Sequence, residues 1–452
     1  MTRSYDDSAT ASRARQNALL AALLALVVAV SAGIYAGVAS DDGRDRPSAA
    51  GRHPRQSAAP ASTGVWVGAW SASPAAAEPG TETGGLAGRS LRNVVHTGAG
   101  GSLARITLSN LYGQQPLTVT HASIALAAAD DSAAAAAGTM RRVTFGGRGQ
   151  VVVPPGQQRV SDPVELRVPH EADVLVTTYS PTGAGPVTYH PRARQISYAA
   201  RGDRTADLTG AAYAEQVEAW RYLSALDVLS HESDGTVVVL GDSLTAGATS
   251  TVGANRRWTD VLSRRLREAV RSGADLPRYS VVNQGISGNR VLANGPGRPA
   301  DNPSGLNRFA RDVLGRPQVK VVVIDLGIND ILRHPGTADA EAILAGLRAL
   351  VDQAHGRGVK VVGATLMPFR GHRGYTAARE EVRQRINAEI REGRVFDAVV
   401  DFDAAVRDAY DPRRLRGEYD CGDRLHPSDE GYARMGEAVE LGVLRGAAPV
   451  RL

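Results

Sequence analysis

The stretch VVVLGDSLTAG, residues 237–247, decides the reading of this chain. Four apolar residues, Val237 to Leu240, describe a fully buried strand, and Gly241-Asp242-Ser243 then turns the chain sharply. A serine is thereby left at the carboxyl end of a strand, the edge at which open α/β sheets bind ligands. There, Ser243 is either an exposed nucleophile or a plain helix cap. The rest of the sequence has to break the tie.

Downstream, strands and helices alternate. Apolar runs at 237–240, 279–283, 319–326, 359–366 and 396–402 read as strands. Between them, Trp258, Leu262, Leu266 and Val270 recur at four-residue spacing on one helix face. Residues 305–314 read as a short helix, 340–354 as a helix stopped by Gly356-Arg357-Gly358, and 376–390 as another. The last helix spans 428–441 with Ser428 as its cap; its capping box is incomplete, because Gly431 stands at the third position. Five apolar strands alternating with amphipathic helices predict a doubly wound, parallel five-stranded sheet.

Upstream, the character changes. Residues 65–230 carry short alternating runs at 104–110, 117–124, 150–153, 164–168, 174–179 and 187–189, punctuated by Gly, Pro, Asn and Asp. Such a pattern predicts an antiparallel sandwich or jelly roll. The Ala-rich tract 127–137 reads as a loop or short helix, 212–220 as helical, and 221–230 as a strand joining the two regions. His96 and His190 read as structural, with no acid or histidine cluster at metal spacing around them. Arg13 and Arg15 precede a charge-free apolar run of 22 residues, 18–39, long enough to span a bilayer as a helix. It reads as a signal anchor, with a signal peptide cleaved after Ala39 as the alternative. Either would export the remainder, attached to the outer face of the membrane or secreted. Polar residues 40–64 read as a tether. The domain reading is thus 1–39, 40–64, 65–230 and 231–452.

Bulk numbers bound the partners. The chain has 452 residues, 43% hydrophobic and 22% charged, enough for more than one core. The net charge of +5 comes from arginines scattered among acids, with lysine only at 320 and 360, and no basic run suggests nucleic acid. One cysteine, Cys421, excludes an internal disulfide framework and a multi-cysteine zinc site, and it reads as a packing residue. There is no phosphate loop and no dinucleotide fingerprint after the first strand, so neither a cofactor nor a metal is predicted. Oligomeric state is not legible.

Most of the predicted strand ends carry something polar: Ser243, then Asn283 through Asn289, then Gly327-Ile328-Asn329-Asp330, and finally Asp423-Arg424-Leu425-His426-Pro427 before the last helix. In a parallel sheet these ends share one edge, so four groups distant in sequence converge. A serine hydroxyl needs a base, and His426 is the candidate. Asp423, three residues earlier, is close enough to fix its tautomer. Donors for a developing oxyanion are the backbone N–H groups of Ser243 and Gly288 and the side-chain amide of Asn329. Taken singly, Gly288 and Asn329 also read as turn residues and Asp423–His426 as a surface pair. Asp330 reads as support, Asp242 as stabilising the turn, and His231, His334, His355 and His372 as unpartnered surface residues.

Gly241-Asp242-Ser243-Leu244, Gly288, Gly327-Ile328-Asn329-Asp330 and Asp423-Arg424-Leu425-His426 resemble the four blocks of the SGNH (GDSL) hydrolases. The resemblance covers roughly 235–447 and implies a flavodoxin-like sheet and ester hydrolysis through a serine. By position it implies Ser243 as nucleophile and oxyanion donor, Gly288 and Asn329 as further donors, His426 as base and Asp423 as its orienting acid. Members often carry Asp where Ala246 stands, a position that is not catalytic. The WVGAW opening at 66–70 and the β-rich region resemble a bacterial exported subgroup. The leading expectation is cleavage of short acyl, chiefly acetyl, esters of a carbohydrate. A lipase or lysophospholipase is the second expectation, and an inert surface binding protein is the rival of another class.

Overall fold

The structure, a computed structural model, describes residues 64–447. The apolar run at 18–39 and the tether up to residue 63 lie outside the described residues. Among the described residues no helix is long and apolar enough to cross a membrane. Residues 64–447 pack as one compact unit.

The five apolar segments form one parallel sheet: β1 (Gly235–Gly241), β2 (Tyr279–Gly285), β3 (Val319–Asp325), β4 (Lys360–Ala364) and β5 (Ala398–Val400). Their spatial order is β2-β1-β3-β4-β5, which reverses direction at β1/β3, the switch point of a doubly wound sheet. Every residue of β1 is buried, as its valine run requires of a central strand. The register sets Gly241 level with Gly285 on one side and Asp325 on the other. Three strands therefore end in line.

The helices are α1 (Trp258–Arg271), α2 (Ala340–His355), α3 (Ala377–Arg391) and α4 (Asp429–Ala438). Side chains of Asp339, Thr376 and Ser428 cap the last three by accepting first-turn N–H groups. Helix α1 buries Trp258, Leu262 and Leu266 as its spacing predicts. It lies close to α4, where a Cβ on Gly436 would meet Val261 Cβ at 2.6 Å. Short helical turns Ser243–Ala246, Ile328–Leu332 and Phe402–Val406 follow β1, β3 and β5. They are too brief to show a sequence period. The 305–314 helix is an α-turn, Gly305–Phe309, continued by a π-turn, Ala310–Leu314.

Residues 64–230 form the expected antiparallel layers. One sheet has the order Val65–Ser71, Leu223–Ser230, Gly101–Ser109, Val164–Val168; the facing sheet is built on Arg89–His96, Asp173–Ser180 and His121–Leu126. Ile106, Leu108 and Leu226 from the first meet Leu91, Val95 and Val176 from the second in one core, which makes a sandwich. One expectation is corrected. Residues 212–220 are not helical but contain the strand Glu215–Val217 and the start of Ala219–Arg221. There the Trp220 indole donates to the Val94 carbonyl at 2.8 Å, and Arg221 N–H donates to Asn93 Oδ1 at 2.9 Å. Such tertiary partners override local helix propensity. The Ala-rich tract is a loop closed by an Ala127–Ala135 bridge. His96 and His190 are structural, as read. His96 Nδ1 pairs with Asp173 at 2.8 Å, and His190 Nδ1 donates to the Ser73 carbonyl at 2.9 Å, with burial pushing its pKa down to about 4.

The sandwich and the parallel sheet share a polar, buried seam. Gly68 N–H donates to Thr236 Oγ1 at 3.2 Å, and a Cβ at Gly68 would stand 3.0 Å from Val282. Arg308 is fully buried in this seam. Its guanidinium donates to the carbonyls of Gly241 (2.9 Å) and Gln284 (2.6 Å), to Asn289 Oδ1 (3.0 Å) and to Ser73 Oγ in the sandwich (2.8 Å). Burial lowers its pKa to about 10, with Asp312 opposing, so it stays charged at neutral pH. Removing such a group strands several buried acceptors at once. Arg308→Met should therefore cost about 3–5 kcal/mol of stability, read as a lower denaturant midpoint of the full chain. A midpoint shift of a few tenths of a kcal/mol would contradict this account of the seam.

Candidate active site

The turn after β1 is shaped by crowding. A Cβ on Gly241 would meet Thr245 Oγ1 at 2.1 Å, and one on Gly285 would meet the Ala246 nitrogen at 2.3 Å. Glycine at both places lets the turn sit between the strand ends. Asp242, not Ser243, is the helix cap: its carboxylate accepts from Leu244 N–H at 2.9 Å. Ser243 is the first helical residue, so its hydroxyl is not spent on capping. It faces the cleft while remaining 8% exposed.

His426 reaches it from 183 positions away. Ser243 Oγ lies 2.9 Å from His426 Nε2, and His426 Nδ1 lies 2.6 Å from Asp423 Oδ2. The other Asp423 oxygen accepts the backbone N–H groups of Leu425 (2.9 Å) and His426 (2.8 Å). Burial works against the Asp423 carboxylate, but these hydrogen bonds outweigh it and hold its pKa at about 2. With Asp423 ionised, the imidazole proton belongs on Nδ1, leaving Nε2 to accept from the serine. The histidine loop is clamped to the segment after Ser243. Thr249 Oγ1 donates to Pro427 O at 2.7 Å, Thr251 donates from N–H and Oγ1 to Asp429 at 2.9 and 2.6 Å, and the Tyr432 hydroxyl donates to Ala248 O at 2.5 Å.

Gly288 sits after β2 with φ +76°, and a Cβ there would fall 2.2 Å from Arg333 Nη2. Asn329 sits in the turn after β3. Its amide Nδ2 donates to Asp242 Oδ2 at 2.9 Å, and its Oδ1 accepts from Arg333 Nε at 3.3 Å. One amide hydrogen is thus used to orient the side chain, and the second remains. Asp330 accepts the N–H groups of Val291 (2.8 Å) and Leu292 (3.1 Å), which fixes the loop beyond Gly288. Ser243, Gly288, Asn329, Asp423 and His426 all line one cleft of about 1060 Å³. Hydroxyl, acceptor imidazole, orienting carboxylate and neighbouring amide donors are the set that acyl transfer requires.

The cleft also holds residues that the sequence did not announce. Tyr189, Pro191, Arg192 and Arg194 line it from the sandwich, and Arg333, His372 and Arg373 line it from the segments after β3 and β4. Only an arginine-rich run after a strand, PRAR at 191–194, hints at the first group. Three minor expectations are corrected. His372 belongs to the cleft, with burial lowering its pKa. His355 is half-buried and pairs with Asp397 at 3.0 Å. Cys421 is exposed rather than packed. Cys421, Asp420 and Asp423 come within 4.8 Å of one another, but both Asp423 oxygens are already taken by residues 425 and 426.

Residues 239–434 match the family described as GDSL-like Lipase/Acylhydrolase. Among solved structures, an acetyl xylan esterase variant from Geobacillus stearothermophilus is 23% identical, covering 49% of this chain and 98% of its own at a TM-score of 0.35. A GDSL-like lipase from Bacteroides thetaiotaomicron is 20% identical, covering 46% and 87% at 0.32. A carbohydrate acetylesterase from Sinorhizobium meliloti is 18% identical, covering 45% and 96% at 0.35. The search of curated proteins gave no match.

Beneath the serine turn lie two buried acids. Asp242 is raised well above the ordinary carboxylate range by burial and by the neighbouring Asp325. Burial pushes Asp325 from 3.8 to about 6, against the Thr245 hydrogen bond at 2.9 Å. Between those values the folded chain holds a proton at Asp325 that the unfolded chain releases. Its stabilising contribution is therefore complete below pH 3.8 and lost as the pH rises through about 6. Asp325→Asn keeps an acceptor for Thr245 and removes the titration. The difference in melting temperature between variant and parent should grow in the variant's favour from pH 4 to pH 7. A difference that is flat across that window would contradict the assignment.

Proposed function

We propose that this chain, whose residues 239–434 form a GDSL-like lipase/acylhydrolase domain and which is thereby an ester hydrolase, works through Ser243 on short acyl esters of a carbohydrate. What supports the nucleophile is the unbroken hydrogen-bond chain from Ser243 through His426 to Asp423, at 2.9 and 2.6 Å.

His426 Nε2 takes the Ser243 proton as Oγ bonds to the ester carbonyl carbon. Asp423 holds the imidazolium that forms. The carbonyl oxygen, now anionic, is met by the N–H groups of Ser243 and Gly288 and by the free Asn329 amide hydrogen. Collapse breaks the carbon–alkoxide bond, and His426 returns its proton to the departing alcohol. Water, deprotonated by the same nitrogen, then attacks the acyl carbon; the bond from that carbon to Ser243 Oγ breaks, His426 returns the proton to Oγ, and the acid is released. Asp242 acts through Asn329, which it orients at 2.9 Å.

The substrate class rests on the cleft. Its lining is mostly polar and cationic, with Leu332, Leu425, Pro191 and Ala248 as its few aliphatic members, which suits a hydrated alcohol carrying a small acyl group. The arginine-led apolar run at 18–39 supports an exported location, and the proposal includes it.

A fluorophosphonate probe should label the full chain, and Ser243→Ala should abolish both labelling and hydrolysis of 4-nitrophenyl acetate. A Ser243→Ala protein with undiminished turnover ends the reading. Asn329→Ala should lower kcat by about 10²–10³-fold, with melting followed alongside because Asp242 loses a donor. A loss below tenfold would remove Asn329 from the oxyanion site. Turnover should fall as the acyl chain lengthens from acetate to octanoate; the opposite order would favour a lipid ester.

A further inference from the structure

The cleft has an unbalanced charge. Arg192, Arg194, Arg333 and Arg373 line it, and its one lining carboxylate, Asp423, is committed to His426. Arg194 pairs with Glu218 at 3.1 Å and donates to the Ser250 carbonyl. Arg333 lies against Gly288 and donates to Asn329 at 3.3 Å. Arg192 and Arg373 form no ion pair with any carboxylate among the described residues. Arginines on this surface commonly do find one, as Arg278 does with Asp234 and Arg385 with Glu341.

The backbone that delivers two of these arginines is built, not loose. Arg192 and Arg194 have φ +55° and +56°, a region non-glycine residues rarely enter. Between them Ala193 is pinned on both sides: its carbonyl accepts from Arg257 Nη2 at 2.7 Å, and its N–H donates to Glu218 O at 3.2 Å. The Arg194 carbonyl accepts from Gly253 N–H at 3.0 Å, which ties the run to the loop after the serine helix. A strained conformation held by this many partners at the mouth of a site is a feature with a use. An unpaired guanidinium in a cleft recognises a carboxylate or a phosphate through paired N–H donors.

We propose that the ester substrate carries an anionic group, a carboxylate or a phosphate, beside the scissile acyl group, and that Arg192 of the sandwich and Arg373 of the segment after β4, which line the same cleft, bind it. The proposal rests on the serine esterase reading for its substrate. It also gives the sandwich a role: through Arg192 it adds selectivity for charge to a site whose reacting groups come from the other half of the chain.

The test uses matched aryl acetates with the full chain: 4-acetoxybenzoate against its neutral methyl ester, and 4-acetoxyphenyl phosphate against its neutral dimethyl ester. Each rate is divided by that ester's alkaline hydrolysis rate. At low salt the anionic member should be favoured in kcat/KM by about tenfold or more, mostly through KM, and 0.5 M NaCl should erase the preference. Arg192→Gln/Arg373→Gln should bring the ratio of anionic to neutral kcat/KM towards one. The larger preference of the two pairs identifies carboxylate or phosphate as the recognised group. Equal or lower kcat/KM for both anionic esters at low salt would overturn the proposal. Calorimetric titration of the Ser243→Ala chain with the same esters keeps the two readings apart. Tighter binding of the anionic esters without turnover by the parent chain would sink the esterase reading and leave the anion site standing. Equal binding of charged and neutral esters would sink the anion site alone.

Discussion

The structure depends on how the carbonyl groups at the ends of two strands are satisfied. Where β1 and β2 stop, the buried Gly241 carbonyl takes one donor from the ladder, Ile286 N–H at 3.1 Å, and a further donor must reach both it and the Gln284 carbonyl. Arg308 does, with one guanidinium that also reaches Ser73 and Asn289. A planar group with five donors suits a junction of acceptors arriving from different elements. Because Gly241 immediately precedes Asp242 and Ser243, the cation that closes the sheet also fixes where the serine turn begins. Asn289, held by the same group, follows Gly288. Two of the proposed oxyanion donors are thus tied to one buried charge.

The histidine side of the site is secured differently. No strand delivers His426; it rides on a loop whose internal bonds run from Asp423 to Leu425 and His426 and from Cys421 N–H to the His426 carbonyl. Such a loop is stiff but not by itself well aimed. Aim comes from the contacts of Thr249, Thr251 and Tyr432, which bind the chain after Ser243 to the chain around His426. The histidine is thereby fixed against the serine, which the end of β1 already holds. Reacting groups held in this way enter the reaction with little orientation left to lose.

Much of this was legible in the sequence because the signals were periodic or local. The valine runs gave all five parallel strands, the four-residue spacing of Trp258, Leu262 and Leu266 gave α1, and polar residues at strand exits gave Ser243, Gly288, Asn329, Asp423 and His426 as a set. What escaped was decided by partners far away. The helix-like composition of 212–220 yielded to the Val94 carbonyl waiting for Trp220. His355 and Asp397 pair across 42 positions with no motif to mark them. The sequence leaves Ser243 as cap or nucleophile, and the cap is its neighbour Asp242. The arginines of the sandwich wall were invisible for the same reason: a tripeptide spaced by one alanine has no period, and its meaning lies in the loop it faces.

The sandwich and the parallel sheet are often thought of as separable modules when sequence composition changes between them. Here Ser73 in one and Arg308 in the other meet through a hydrogen bond at the base of the serine turn. A fragment trimmed at residue 231 would open that contact to solvent and shed the Arg192 wall together with it. The seam thus couples the halves: exchanging or deleting the front half removes a partner of the same cation that holds the carbonyl just before the serine turn.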